Sequence, residues 1–258
     1  MKVPTVSSIG GEDELTDQTF SRLSFDQLNL AALSFVRCRF ERIIVGSLVT
    51  GYLDGITYLR DCVFDNFKVK SLSTGYSRFE NCVFKNASIG EWHAEYTELV
   101  DCEFSGKLKR AIFYGRPHNP RGRVEADAKH RSLHGLPPQS DAYRDAVLRE
   151  RNEFSGNDFS RAVFSDVEFV KGVDLSKQRL PEEGRLVLYD AEPILRAAAD
   201  DVSHWNDGNE KSKAEFILER LLGRVNDGQS QLYVVPSKWS GSGADKLFDT
   251  IRRLLGDA

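Results

Sequence analysis

The sequence predicts a mainly β protein built on a parallel β-helix solenoid, and three observations carry that expectation. Phenylalanine recurs at five-residue spacing, a second apolar position precedes each by two residues, and Cys62, Cys82 and Cys102 stand twenty residues apart. Such long, fixed internal periods mark repeat architectures.

Twelve of the 16 phenylalanines fall on the five-residue spacing: Phe20, Phe25, Phe35 and Phe40; Phe64, Phe79, Phe84 and Phe104; Phe154, Phe159, Phe164 and Phe169. Leu30, Val45, Val69, Ile89 and Leu99 fill intervening slots, and the position two before carries Leu23, Leu28, Leu33, Cys38, Ile43, Cys62, Cys82, Ala87, Cys102 or Ala162. A helix would repeat its apolar face at three and four residues, and a plain strand at two. Period five instead means short extended segments joined by turns. Each segment points two side chains inward and cannot bury them alone, so successive coils must stack.

The stretches SRFENCVFKN, DCEFSG, NDFSRAVFSDVEF and FSRLSFDQLNLAALSF resemble the pentapeptide-repeat proteins. The resemblance covers 18–106 and 152–176, leaving 1–17 as an N-terminal cap. It implies a right-handed quadrilateral β-helix, with four repeats per coil and both apolar positions inside. The expected core is therefore Phe40, Phe64, Phe84, Phe104, Phe154, Phe159, Phe164 and Phe169.

The cysteines fit the same frame. Cys38 precedes Cys62 by 24 residues, one coil plus four, and the repeat changes phase around Tyr52-Leu53-Asp54-Gly55. Cys38, Cys62, Cys82 and Cys102 should then form a line up one face. Rungs about 4.8 Å apart cannot place four thiols tetrahedrally around a metal at about 2.3 Å. Parallel Cβ vectors also disfavour disulfides. Buried structural thiols are expected, with no metal and no cofactor.

Residues 107–151 interrupt the repeat. Between 107 and 131 lie eight basic residues, Lys107, Lys109, Arg110, Arg116, Arg121, Arg123, Lys129 and Arg131, against Glu125 and Asp127. That is +6 locally, while the whole chain carries −4. A basic loop on a rigid scaffold is a natural contact element, so these eight are the candidate partner-binding residues. His118, His130 and His134 share the segment, without the neighbouring cysteine or HExxH pattern of a metal site. A short helix is expected from Ser140 through Tyr143, Ala146 and Val147.

From 177 onward the periodicity becomes helical. Leu195, Ala198, Val202 and Trp205 mark one stripe, after Asp190 and Pro193; Ala214, Ile217, Leu218, Leu221 and Val225 mark a second. QLYVV at 231–235 reads as a strand. Ser242 to Asp245 reads as a capping box opening a last helix. The Gly-Ser-Gly at 241–243 lacks the GxxxxGK[ST] pattern and is a helix entry.

No catalytic constellation is visible, so a non-enzymatic, macromolecule-binding protein is expected. The leader lacks a signal-peptide core and no run suits a membrane span, which points to a cytoplasmic protein without a membrane partner. Some pentapeptide-repeat proteins imitate duplex DNA and modulate type II topoisomerases such as gyrase. The resemblance therefore implies a topoisomerase as the partner, and a homodimer through a C-terminal helix. This chain departs from those members in its interruption and its larger α-rich tail. Residues 1–105 carry 15 acidic and 10 basic residues, only mildly acidic. The alternatives are a protein-interaction scaffold, such as an immunity or regulatory component using the insertion, and direct nucleic-acid binding through 107–131.

Overall fold

The computed structural model describes residues 14–30, 33–51, 55–182 and 184–256. Most of the expected cap at 1–17 lies outside these, and Glu14–Thr16 is already a strand of the coil. The chain forms two compact units: residues up to 168 with 177–181, and residues 169–176 with 182 onward. No helix among the described residues is long and apolar enough to cross a membrane.

The first unit is a parallel β-solenoid of about five turns. One face stacks Glu14–Thr16, Ser34–Val36, Thr57–Arg60, Ser77–Glu80, Thr97–Val100 and Phe154–Ser155 in that order. A second ladder runs Thr19–Ser21, Arg39–Glu41, Val63–Asp65, and a third runs Ser24–Asn29, Ile44–Thr50, Lys68–Thr74. Both meet on the long strand Val83–Ala94, which turns a corner and is followed by Glu103–Tyr114 and Asp158–Val170.

Register places like on like. Phe20 pairs with Phe40, Phe40 with Phe64, Phe64 with Phe84, and Phe84 with Phe104. Their rings stack with Phe159 at centroid spacings of 5.2, 4.8, 4.6, 4.5 and 4.6 Å. The backbone ladder spaces rungs at about 4.8 Å, so the rings inherit a stacking distance from the hydrogen bonds. Each such pair adds about 0.5–1.5 kcal/mol beyond burial.

Two irregularities are absorbed without losing that stack. Thr50 pairs with Thr74 but Thr57 pairs with Ser77, so four extra residues lie between Thr50 and Thr57. This is the expected slip, although residues 52–54 themselves lie outside the described chain. At Gly106 one residue is missing, since Ala87 pairs with Gly106 after Phe84 pairs with Phe104. Gly106 sits at φ 108°, and a Cβ there would meet the Ala87 carbonyl oxygen at 2.2 Å.

All four cysteines are free and buried, in line as expected. Each Sγ has two carbonyls within reach of its single S–H, as Cys82 has Leu59 O at 3.3 Å and Glu80 O at 3.4 Å. Higher up, amides take over the same task. Asn157 donates to Leu99 O at 2.8 Å, and Gln178 donates to Phe154 O at 2.9 Å. The repeat thus reaches Gln178 and the buried Leu180, a few residues past the expected boundary at 176. Seven of the eight core phenylalanines are buried as expected. Phe164 is only half-buried, its ring edge-on to Phe159 at 5.6 Å, and Leu23, expected to point inward, is exposed on the first coil.

Corners are made by left-handed residues. Asp17, Arg37, Asp61, Asn81 and Asp101 all have φ between 51° and 57°. Their amides donate to the next rung, from Asp17 N to Val36 O at 3.0 Å up to Asp101 N to Ser155 O at 2.9 Å. Asn and Asp tolerate this conformation better than other non-glycine residues.

The second unit packs three helices against a two-stranded antiparallel sheet. Counting the two helices of the insertion as α1 (Pro120–Leu133) and α2 (Asp141–Val147), these are α3 (Ala191–Ser203), α4 (Asn209–Asn226) and α5 (Ser242–Leu255). Leu232–Val234, expected as a strand, pairs with Leu186–Leu188, which the sequence did not announce. The expected capping box is absent: Gly241 is the N-cap of α5, with no side-chain cap bond. Gly243 has a packing reason, because a Cβ there would come within 2.3 Å of the Glu210 carbonyl oxygen on α4. Leu195, Val202, Ile217, Leu218, Leu247 and Ile251 form the core.

Phe84 sits in the middle of the stack, 2% exposed, with ring neighbours above and below. Phe84→Ala should cost about 3–5 kcal/mol, read from urea unfolding monitored by far-UV circular dichroism. A loss under about 1 kcal/mol would mean that the stack does not carry the coil.

Candidate functional site

The insertion starts later than the charge pattern suggests. Glu103–Tyr114 is a continuous strand, with Lys107 opposite Ser88, so Lys107, Lys109 and Arg110 belong to the coil. The boundary at 107 is corrected to about 116, because apolar Leu108, Ala111 and Phe113 keep the inward alternation and hold the strand on the ladder. Asn152 defines the other end. Its amide nitrogen donates to Gly115 O at 3.0 Å, and its side chain donates to Glu95 O at 2.8 Å and Tyr114 O at 2.7 Å. The excursion therefore leaves and rejoins the coil at neighbouring points.

Between those points the chain folds into two helices. In α1, Pro120 occupies the first turn, where its missing N–H costs nothing, and Asn119 caps by accepting from Gly122 N at 3.1 Å. Helix α2 begins where expected, with the Ser140 hydroxyl accepting from Tyr143 N at 3.2 Å.

A small mixed core attaches the helices to the coil. Tyr76 from the coil lies 4.7 Å from the Tyr96 ring and 5.5 Å from the Tyr143 ring. Val147 is fully buried beside them. Asp127 is the one buried side chain of α1, and it accepts from the Tyr143 hydroxyl at 2.7 Å and from Arg123 Nε at 3.1 Å. A buried carboxylate is tolerated only when paired and hydrogen-bonded in this way.

Arginines complete the attachment. Arg149 lies over the Tyr76 ring at 5.6 Å, donates to Tyr96 O at 2.6 Å, and stands 3.6 Å from Glu98. Burial holds its pKa below the usual arginine value, against the opposing pull of Glu98. Arg78 on the adjacent rung reaches Glu80 at 2.9 Å, Glu98 at 3.3 Å and Glu153 at 2.7 Å.

The eight predicted residues are thus divided. Arg110 pairs with Glu91 at 2.8 Å on the coil. Arg123 is turned inward to Asp127, and Arg131 donates to Pro137 O at 2.5 Å to hold the chain leaving α1. Arg116, Arg121 and Lys129 are exposed on the insertion, as Lys107 and Lys109 are on the coil. Charge counting missed the residues that do the attaching: Arg78, Arg149, Asp127, Asn152 and the three tyrosines. One signal was available, because Thr57, Ser77 and Thr97 recur at twenty residues and all are buried, and Asn152 holds the next place in that column.

The neighbouring Cys82 thiol and then burial raise the pKa of Cys62, burial and then the neighbouring Cys102 thiol raise that of Cys82, and burial raises that of Cys38. Among the described residues, no three His, Cys, Asp or Glu side chains come together to hold a metal ion. No family model, no curated protein and no solved structure matches this chain.

The Tyr76 hydroxyl is buried without a hydrogen-bond partner among the described residues. Tyr76→Phe should therefore leave stability unchanged or slightly raised, whereas Tyr143→Phe should cost about 1–3 kcal/mol by depriving buried Asp127 of a donor. Thermal melts of the two variants side by side test this, and equal losses would refute the assignment.

Burial holds all three tyrosines neutral, aided by Glu95 at Tyr96, by Asp127 at Tyr143 and by the neighbouring rings at Tyr76. The pKa of Tyr96 is pushed up to about 12, against about 10 for a tyrosine in an unfolded chain. A raised folded value means that the stabilisation is complete below about pH 10 and disappears as pH climbs through the folded pKa. Absorbance at 295 nm should show these tyrosines ionising late, together with loss of the attachment. Ionisation of every tyrosine near pH 10 in the folded protein would contradict it.

Proposed function

We propose that this is a non-enzymatic pentapeptide-repeat protein that acts as a protein-interaction scaffold, with the inserted helical pair as its contacting element. The carrying observation is a contrast within α1. Its surroundings are fixed by the Asn152 neck, the tyrosine cluster and Arg149, yet only Asp127 of its fourteen residues is buried. A segment held so firmly while exposing eight of its fourteen residues suits recognition, because little ordering entropy remains to be spent on binding. The buried thiols support a non-catalytic reading.

Imitation of DNA is favoured less. Duplex DNA presents one negative charge per about 1.7 Å without interleaved cations. On these coils Asp17, Glu41, Glu98, Glu103 and Asp158 each lie within 3.3 Å of an arginine nitrogen. Alternating charge of this kind suits a protein surface better than a topoisomerase's DNA-binding channel.

Affinity capture with the intact chain, and with 116–151 replaced by a short glycine turn, tests the proposal. Partners should be lost with the insertion while far-UV circular dichroism retains the coil. Identical partners from both chains would refute it, and inhibition of gyrase supercoiling by micromolar protein would restore the topoisomerase reading.

A further inference from the structure

The insertion holds a cleft that shares only Val124 with its attachment to the coil. It has a volume of about 480 Å³ and lies between α1 and the chain returning towards α2. Val124 and Ala128 form one wall, and Leu136 and Pro138 the other. Arg131 and Arg144 stand in its lining, together with one acid, Glu125, and the Arg144 guanidinium also stands 4.0 Å from the exposed carboxylate of Asp141.

The cleft is held open. Arg131 Nε donates to Pro137 O at 2.5 Å, and Gln139 Nε2 donates to Val124 O at 3.3 Å, so both ends of the returning segment are tied to α1. Two consecutive prolines, Pro137 and Pro138, fix φ in that wall. Apolar side chains nonetheless face solvent beside it, Leu136 at 42% exposure and Leu133 at 74%. Arg121 precedes Glu125 by one turn on the same helical face and adds positive charge to that end.

We infer that this cleft receives a short acidic segment of a partner protein. An apolar side chain of that segment sits between Ala128 and Leu136, and flanking carboxylates reach Arg131 and Arg144. Carboxylate is the anion an arginine fork fits in two-point fashion, and an apolar anchor in a pocket is what concentrates binding energy. A nucleic acid strand fits less well, since among the described residues no aromatic side chain lines the cleft on which a base could stack. The inference rests on the protein-interaction reading and adds the chemistry of the partner.

A display library of random twelve-residue peptides, selected against the intact protein, supplies the probe. Recovered peptides should be enriched in Asp and Glu around an apolar residue. Their affinity, read by fluorescence anisotropy, should fall at least about tenfold for Ala128→Trp, which fills the cleft, and for Arg144→Glu, which reverses its charge. Both positions are exposed on helices, and far-UV circular dichroism checks that both variants keep the fold. Peptides without acidic enrichment, unchanged binding by both variants, or tighter binding of a single-stranded oligonucleotide would each overturn the inference. If it falls while partner capture still requires residues 116–151, the scaffold reading stands without the cleft. If capture also survives deletion, both readings fall.

Discussion

The parallel hydrogen-bond ladder between rungs is the constraint from which the rest of the coil follows. It fixes the rise, and the rise decides which side chains can lie above one another. A planar ring suits that spacing, and the centroid distances settle at 4.5–4.8 Å in the middle of the stack. Left-handed corners are the local cost. Arg22, Arg37 and Arg42 accept a conformation disfavoured by about 1–2 kcal/mol because their amides then meet the next rung.

The same ladder explains why cysteine, asparagine and glutamine can hold one column. Each rung leaves a carbonyl facing inward at the corner, and a buried acceptor requires a donor. A thiol is small enough to donate there while passing for an apolar residue. Asn157 does more, since its Oδ1 also accepts from Cys102 N at 3.0 Å and its amide group reaches Gln178. The column therefore changes from thiol to amide where the returning strand must be matched to a partner 55 residues earlier.

Legibility in the sequence followed periodicity. The phenylalanine stack, the cysteine column, the four-residue slip and the helical stripes of the second unit could all be read, because each is a repeated spacing. The strand Leu186–Leu188 could not, being three residues long with its partner more than forty residues away. Helix α1 was also hidden, since a helix burying one side chain leaves no apolar stripe. Basic charge located the inserted segment but could not say which of its arginines turn inward to hold it. Charge counts cannot distinguish Arg123, turned onto Asp127, from Arg121, exposed two residues before it. Arg149 lay beyond the basic cluster altogether, and its importance comes from the Tyr76 ring beneath it.

The neck at Gly115 and Asn152 also has a kinetic meaning. Rungs up to Thr97–Val100 close on partners 20 or 24 residues away, but Phe154 must find Leu99 across 55. Lengthening a closed loop from 20 to 55 residues costs about 0.9 kcal/mol of chain entropy. That cost falls on one step of an otherwise local assembly. The lower coils can therefore close from neighbour to neighbour, whereas the upper coil must first span the insertion. Asn152, meeting the carbonyls of Glu95 and Tyr114 at once, ties that last rung to the coil below it.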